Sequence, residues 1–144
     1  MLKTPGSAFH HAVEVRFRDL DPLGHVNNSV YLTYFEAARI AYWIDITGNP
    51  DIKHLDMILA RVEVDFRSPA FYAEVLDISL WCSSIGQTSF VLESRMMERR
   101  TQRLVAEARK VLVYYDHSTA KPRPLPPDIR TRLQPAETGG VRRG

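Results

Sequence analysis

The stretch Asp21-Pro-Leu-Gly-His25-Val-Asn27-Asn28, running into Ser29-Val-Tyr31-Leu-Thr-Tyr34-Phe-Glu36-Ala-Ala-Arg39-Ile-Ala-Tyr42-Trp43-Ile-Asp-Ile-Thr47-Gly48, decides how the chain folds. Its first eight residues combine a carboxylate, an imidazole and two amides with the turn formers Pro22 and Gly24, so they read as a loop. The remainder reads as a helix from about Val30 to Thr47, with Asn28 or Ser29 as its cap and Gly48 just past its end. Tyr31, Tyr34, Phe35, Ala38, Ala41 and Tyr42 recur at three- and four-residue spacing, with Leu32, Ile40, Trp43 and Ile44 beside them. Apolar side chains then cover most of the circumference, which predicts a buried helix. A loop of this composition in front of a helix start is where acyl-transfer chemistry can be built, because a base or nucleophile there meets exposed backbone N–H groups.

Working outward, His11 to Arg18 alternates, with Val13, Val15 and Phe17 opposed to Glu14, Arg16 and Arg18, the period of a half-buried strand. After Asn49-Pro50-Asp51, strand patterns cover Ile58–Arg67, Glu74–Ser84, Thr88 to about Arg99, and Val105–Tyr115. Ser68-Pro69 breaks the first of these, and Ile85-Gly86-Gln87 reads as a turn. Pro122, Pro124, Pro126 and Pro127 stiffen an extended exit, and Asp128–Leu133 can form one short helix. The order is strand, loop, long helix, then about four antiparallel strands. That is an α+β chain with a five-stranded antiparallel sheet. One apolar helix on a curved sheet leaves open flanks, which edge-to-edge pairing of two subunits would cover. Residues 1–135 are expected to form one domain and 136–144 a flexible tail.

Composition narrows the function. At 144 residues with 44% hydrophobic and 25% charged residues, the chain is an ordinary globular domain. The net charge of +2 is small and no basic stripe carries stacking aromatics, so nucleic acid is not an expected partner. The single cysteine, Cys82, excludes an intrachain disulfide, and its place on an apolar strand face predicts an inert buried thiol. Residues 1–10 lack a signal-peptide core and no apolar run is long enough for a bilayer, so a cytosolic protein without a membrane partner is expected. His10, His11, His54 and His117 have no ligand-like spacing, and no metal is expected.

The run Arg16-Phe-Arg-Asp-Leu-Asp21-Pro-Leu-Gly-His25-Val-Asn-Asn-Ser-Val-Tyr31, continued by Tyr34-Phe-Glu36-Ala-Ala-Arg39, resembles the hotdog-fold acyl thioesterases of the 4-hydroxybenzoyl-CoA thioesterase type. Val64-Asp-Phe-Arg67-Ser-Pro-Ala70 resembles that family's second strand and its exit. The resemblance implies a long central helix wrapped by the antiparallel sheet. It also implies hydrolysis of acyl-CoA or acyl-carrier-protein thioesters without a cofactor, in homodimers or homotetramers with interfacial active sites. It puts the catalytic carboxylate on Asp21 and the carbonyl-polarising backbone amide on Asn28. The Gly-His-Val-Asn-Asn segment is also similar to plant-type acyl-ACP thioesterases. Asp21 and His25 match their aspartate–asparagine–histidine pattern, but Leu23 stands where the asparagine belongs.

Asp21 can attack the thioester or take a proton from water. His25, four residues on, can orient water or the carbonyl. Asp19 reads as a strand-ending carboxylate that bonds loop amides. Glu36 reads as structural, bonding the Asp19–His25 loop. Tyr31, Arg67 and Ser68 are the candidates for substrate contact, and Arg67, Arg95, Arg99, Arg100 and Lys110 for the phosphates of CoA. The rival readings are a non-catalytic acyl-thioester binding or scaffold protein of the same fold, and a hotdog hydratase or dehydratase.

Overall fold

The computed structural model describes residues 7–133; the expected tail, 136–144, lies outside them. Strand β1 covers Phe9–Glu14, helix α1 Asn28–Thr47, β2 Met57–Phe66, β3 Val75–Ile85, β4 Ser89–Glu98, β5 Leu104–Asp116, β6 Lys121–Pro122 and helix α2 Pro127–Leu133. The long strands form one antiparallel sheet in the order β1-β3-β4-β5-β2, and the two-residue β6 pairs with β5 as a sixth strand that the sequence pattern did not announce. The chain is therefore α+β. No described helix is long and apolar enough to cross a membrane, which leaves β-barrels unaddressed.

Alternation sets the two faces of the sheet. Leu76, Ile78, Leu80 and Cys82 of β3, Phe90, Leu92 and Met96 of β4, and Ala106, Ala108 and Leu112 of β5 are buried against α1. From the helix, Tyr31, Tyr34, Phe35, Ala38, Tyr42, Trp43 and Ile46 meet them. Trp43 stacks on Phe90 at 5.4 Å between ring centroids. The outer face is a ladder of charges in which Glu93 pairs with Arg109, and Arg67 and Arg95 with Glu107.

Three expectations need correction. First, β1 ends at Glu14 rather than Arg18. Phe17–Asp19 instead forms a single 3-10 turn, because the Asp19 carboxylate accepts the Arg16 N–H and bends the chain, leaving Phe17 79% exposed. Second, α1 starts at Asn28 with Asn27 as its cap. The Asn27 side chain accepts from the Ser29 N–H, and Gly48 closes the far end at φ 70°. Third, α1 is buried on one side only. Leu32, Thr33, Glu36 and Ala37 face solvent, beside the unpaired edge of β2.

Candidate active site

The Asp21 loop is a three-residue hairpin closed at several levels. The Asp21 N–H donates to the His25 carbonyl (2.9 Å) and the Gly24 N–H to the Asp21 carbonyl (3.0 Å). Gly24 has φ 86°, the left-handed residue such a hairpin needs. Asp21 Oδ1 accepts from the Leu23 N–H (2.9 Å), while Oδ2 lies 3.6 Å from His25 Nδ1. The Asp21 side chain is 19% exposed, reachable yet partly withdrawn from water. The Asn27 N–H bonds the Asp19 carbonyl at 3.0 Å, so the hairpin closes directly onto the start of α1.

At that start, three N–H groups have different fates. Ser29 donates to the Asn27 side chain and Val30 to the Asn27 carbonyl (2.9 Å). The Asn28 N–H has no acceptor among the described residues. An N–H left unpaired at the positive end of a 20-residue helix is free to donate to an anionic oxygen.

Asp19, two residues before Asp21, has a different task. It is 3% exposed and accepts from the Arg16 N–H (3.0 Å), Arg16 Nε (3.3 Å), Arg16 Nη2 (2.9 Å) and the Tyr34 hydroxyl (2.6 Å). Burial pushes its carboxyl upward in pKa, but the hydrogen bonds from Arg16 and Tyr34 outweigh that and leave it below the usual carboxylate range. Burial and the same Asp19 bond raise Tyr34. Asp19 thus latches the end of β1 and the loop to α1 through a side chain, Tyr34, that the helical spacing alone places in the core.

A second segment, 68–74, backs the hairpin. The Val26 N–H donates to the Ala70 carbonyl (2.9 Å), His25 pairs with Phe71, and the Ala70 N–H donates to the Tyr31 hydroxyl (3.0 Å). Burial raises the Tyr31 hydroxyl, with the charges of Glu74 and Asp21 adding, while the Ala70 bond and Arg103 oppose. Tyr31 therefore stays protonated, one helical turn from Asn28 and within electrostatic reach of Asp21. Arg103 grips the whole segment. Its guanidinium donates to Ser68 Oγ (3.2 Å), the Pro69 carbonyl (3.0 Å) and both Glu74 oxygens (2.9 and 3.1 Å), and it lies over the Phe71 ring. Arg103 was not among the candidates. One arginine in a hairpin that also holds Arg99 and Arg100 carries no distinguishing signal in the sequence.

Of the expected site residues, the structure brings Asp21, His25, Asn28 and Tyr31 together at the helix start, with Ser68 in the backing segment. Arg67 is not with them. It lies on the outer face, ion-paired with Glu107 (3.2 Å) and Asp65 (3.6 Å). Glu36 does not bond the loop; its nearest partner is Arg39 at 3.8 Å, and it is mostly exposed. Arg99 is occupied by Asp77, and Lys110 is buried rather than displayed for a phosphate. Cys82 is buried, and its thiol is pushed up to about 11 by that burial. Among the described residues no three His, Cys, Asp or Glu side chains converge on a metal-sized site.

Comparison with known proteins places the chain among thioesterases. The model of the Thioesterase-like superfamily matches residues 15–133. The chain is 36% identical to a Thermus thermophilus thioesterase solved with coenzyme A and Zn, with a TM-score of 0.79 over 89% of this chain and 98% of that one. It is 24% identical to the long-chain acyl-CoA thioesterase FadM of Escherichia coli K12, covering 85% of this chain and 94% of that protein. It is 26% identical to the acyl-CoA thioester hydrolase YbgC of Escherichia coli O6:H1, covering 84% and 92%.

Proposed function

The chain belongs to the Thioesterase-like superfamily, and from that premise we propose that it hydrolyses an acyl-CoA thioester to the free acid and CoA with Asp21 as the acting carboxylate. The observation that carries the reading is the unpaired Asn28 N–H at the head of α1, next to a hairpin that presents a half-buried carboxylate. The thioester carbonyl oxygen takes the Asn28 N–H as its donor, aided by the helix dipole. Asp21 either draws a proton from the attacking water or attacks the carbonyl itself, giving a mixed anhydride that water then opens. In both routes the C–S bond breaks, the sulfur leaves as the CoA thiolate, and one water is consumed. His25 orients the water or the carbonyl beside Asp21. Tyr31 and Ser68 line the substrate side.

In this reading residues 1–135 form one hotdog domain, with α1 as the helix the sheet curls around. Two copies pair along the free edge of β2, where Leu59 and Phe66 are 43% and 49% exposed beside Leu32 at 43%, and the active sites lie at that seam. The assembly is a homodimer or a homotetramer of two such pairs. A cytosolic location, with acyl-CoA or acyl-carrier protein as partner, belongs to the same proposal.

The test is free-thiol release from a panel of acyl-CoAs. Asp21→Asn keeps an oxygen to accept the Leu23 N–H, so the hairpin survives while the base is lost. We expect kcat/KM to fall by about 10²–10⁴-fold with the oligomer unchanged. Undiminished release by this variant would move the chemistry off Asp21.

A further inference from the structure

A cavity of about 230 Å³ opens between α1 and the edge strand β2. Leu32, Phe35, Leu59 and Val62 give it apolar walls, with Thr33 and Glu36 lining it on the solvent side. Its inner end is not apolar, because Lys110 and Arg39 are both there.

Lys110 is 3% exposed. Its Nζ lies 4.6 Å from the centroid of the Phe35 ring and 3.4 Å from Ser94 Oγ, and among the described residues no carboxylate lies within 4.0 Å of it. The Arg39 side chain is 13% exposed and its Nε is buried without a hydrogen-bond partner. The carboxylate facing this pair is Glu36, itself on the solvent side and 3.8 Å from Arg39. The other elements around Lys110 present Ser94 from β4 and Val62 from β2, neither of them charged. A lysine buried without a counter-ion, beside an arginine whose one carboxylate partner lies 3.8 Å off on the solvent side, is costly for a fold. Position 110 stands in the apolar phase of β5, between Ala108 and Leu112, where an aliphatic residue would serve the core better. Stability does not account for the pair, whereas an incoming anion does.

The axis of α1 connects this cavity to the reaction. Asn28 heads the helix and Arg39 is eleven residues on, roughly 16 Å at 1.5 Å per residue. An acyl group whose carbonyl sits at the helix start and whose chain follows α1 would reach this cavity at that distance. We propose, resting on the thioesterase reading above, that this cavity receives the far end of the acyl chain and that Lys110 and Arg39 bind a carboxylate there. The favoured substrates are then CoA monothioesters of dicarboxylic acids. The planar guanidinium and the ammonium supply charge-assisted donors to both carboxylate oxygens, and the apolar walls hold the methylenes between. Burial lowers Lys110 to about 7, with the charge of Arg39 adding to the effect, so a bound carboxylate restores its proton.

The experiment compares CoA thioesters of matched chain length that end in a carboxyl or in a methyl group. The wild-type protein is expected to favour the carboxyl-ended chain by about tenfold or more in kcat/KM, one charge-assisted contact's worth. Its KM should climb above pH 7 for that substrate alone. Lys110→Met and Arg39→Gln should each bring the ratio near one. Equal use of both chains by the wild type, or a preference surviving in both variants, overturns the proposal. A binding arm separates the two readings. Calorimetric titration of Asp21→Asn with the same thioesters reads the preference without turnover. Tight carboxyl-ended binding with no hydrolysis by the wild type would sink the thioesterase reading alone, and equal hydrolysis of both thioesters would sink this one alone.

Discussion

Replacing Asp19 with asparagine tests whether the latch between β1, the active-site hairpin and α1 works through charge. The carboxylate is 3% exposed and accepts four hydrogen bonds, the shortest a 2.6 Å contact from Tyr34. Asparagine keeps the shape but removes the charge and turns an NH₂ toward donors. Arg16 is largely in water, so solvent screens its share, and the buried Tyr34 bond dominates. A hydrogen bond to a charged group contributes about 1.5–3 kcal/mol against about 1 for a neutral one. The expected loss at pH 7 is therefore about 2 kcal/mol, which lowers the urea midpoint by about 1 M at an ordinary slope. The pH dependence fixes the cause. The folded-state pKa of Asp19 lies below its unfolded value, so the stabilisation is complete above about pH 4 and disappears as pH falls through the folded value. Urea unfolding of wild type and Asp19→Asn from pH 8 to pH 3 should show a constant gap that closes only at the acid end. A gap equally large at pH 3 would mean that the latch works by shape, and the electrostatic account would be wrong.

Two further outcomes follow from groups the reaction does not consume. Lys110→Met should stabilise the protein by about 1–3 kcal/mol near pH 6.5, because a buried uncompensated cation is replaced by an apolar chain. With Lys110 lowered to about 7, the wild type gains stability as pH rises from there toward the free lysine value of about 10.4, so the advantage of the variant should shrink across that range in thermal melts. Cys82, with its buried thiol raised to about 11, should resist an aromatic disulfide reagent at pH 8 in the native protein and react fully in urea. Prompt native labelling would place Cys82 nearer the surface than the fold allows.

The sequence was most legible where a local rule had no competitor. The far end of α1 was readable because Gly48 supplies the left-handed residue a helix stop needs, and β2 to β5 were found within a residue or two because their alternation is long. The start of α1 was harder, since Asn27, Asn28 and Ser29 are all good caps and only the bond from the Ser29 N–H picks Asn27. Alternation through Phe17 misled, because Asp19 bends the chain there by drawing the Arg16 N–H to its own carboxylate. The apolar circumference of α1 suggested burial all round; within one chain, Leu32 and its neighbours face outward, toward the edge where we place a second copy. The motif singled out Asp21, His25 and Asn28, and the fold sets them side by side at the start of α1. Arg103 was not, because its partners are some thirty residues away in sequence. Lys110 carries a signal that a surface reading of its charge overrides: it shares its phase with Ala108, Leu112 and Tyr114, the buried side of β5.

The grip of Arg103 on residues 68–74 has a consequence for how the enzyme comes into being. The hairpin bearing Asp21 leans on Ala70, and the carbonyl of the preceding Pro69 is held by Arg103 at the entrance to β5. A nascent chain that has released its first helix from the ribosome still lacks that anchor, and every fragment ending before β5 lacks it too. The backing of the Asp21 hairpin is therefore completed late in synthesis, once β5 is in place.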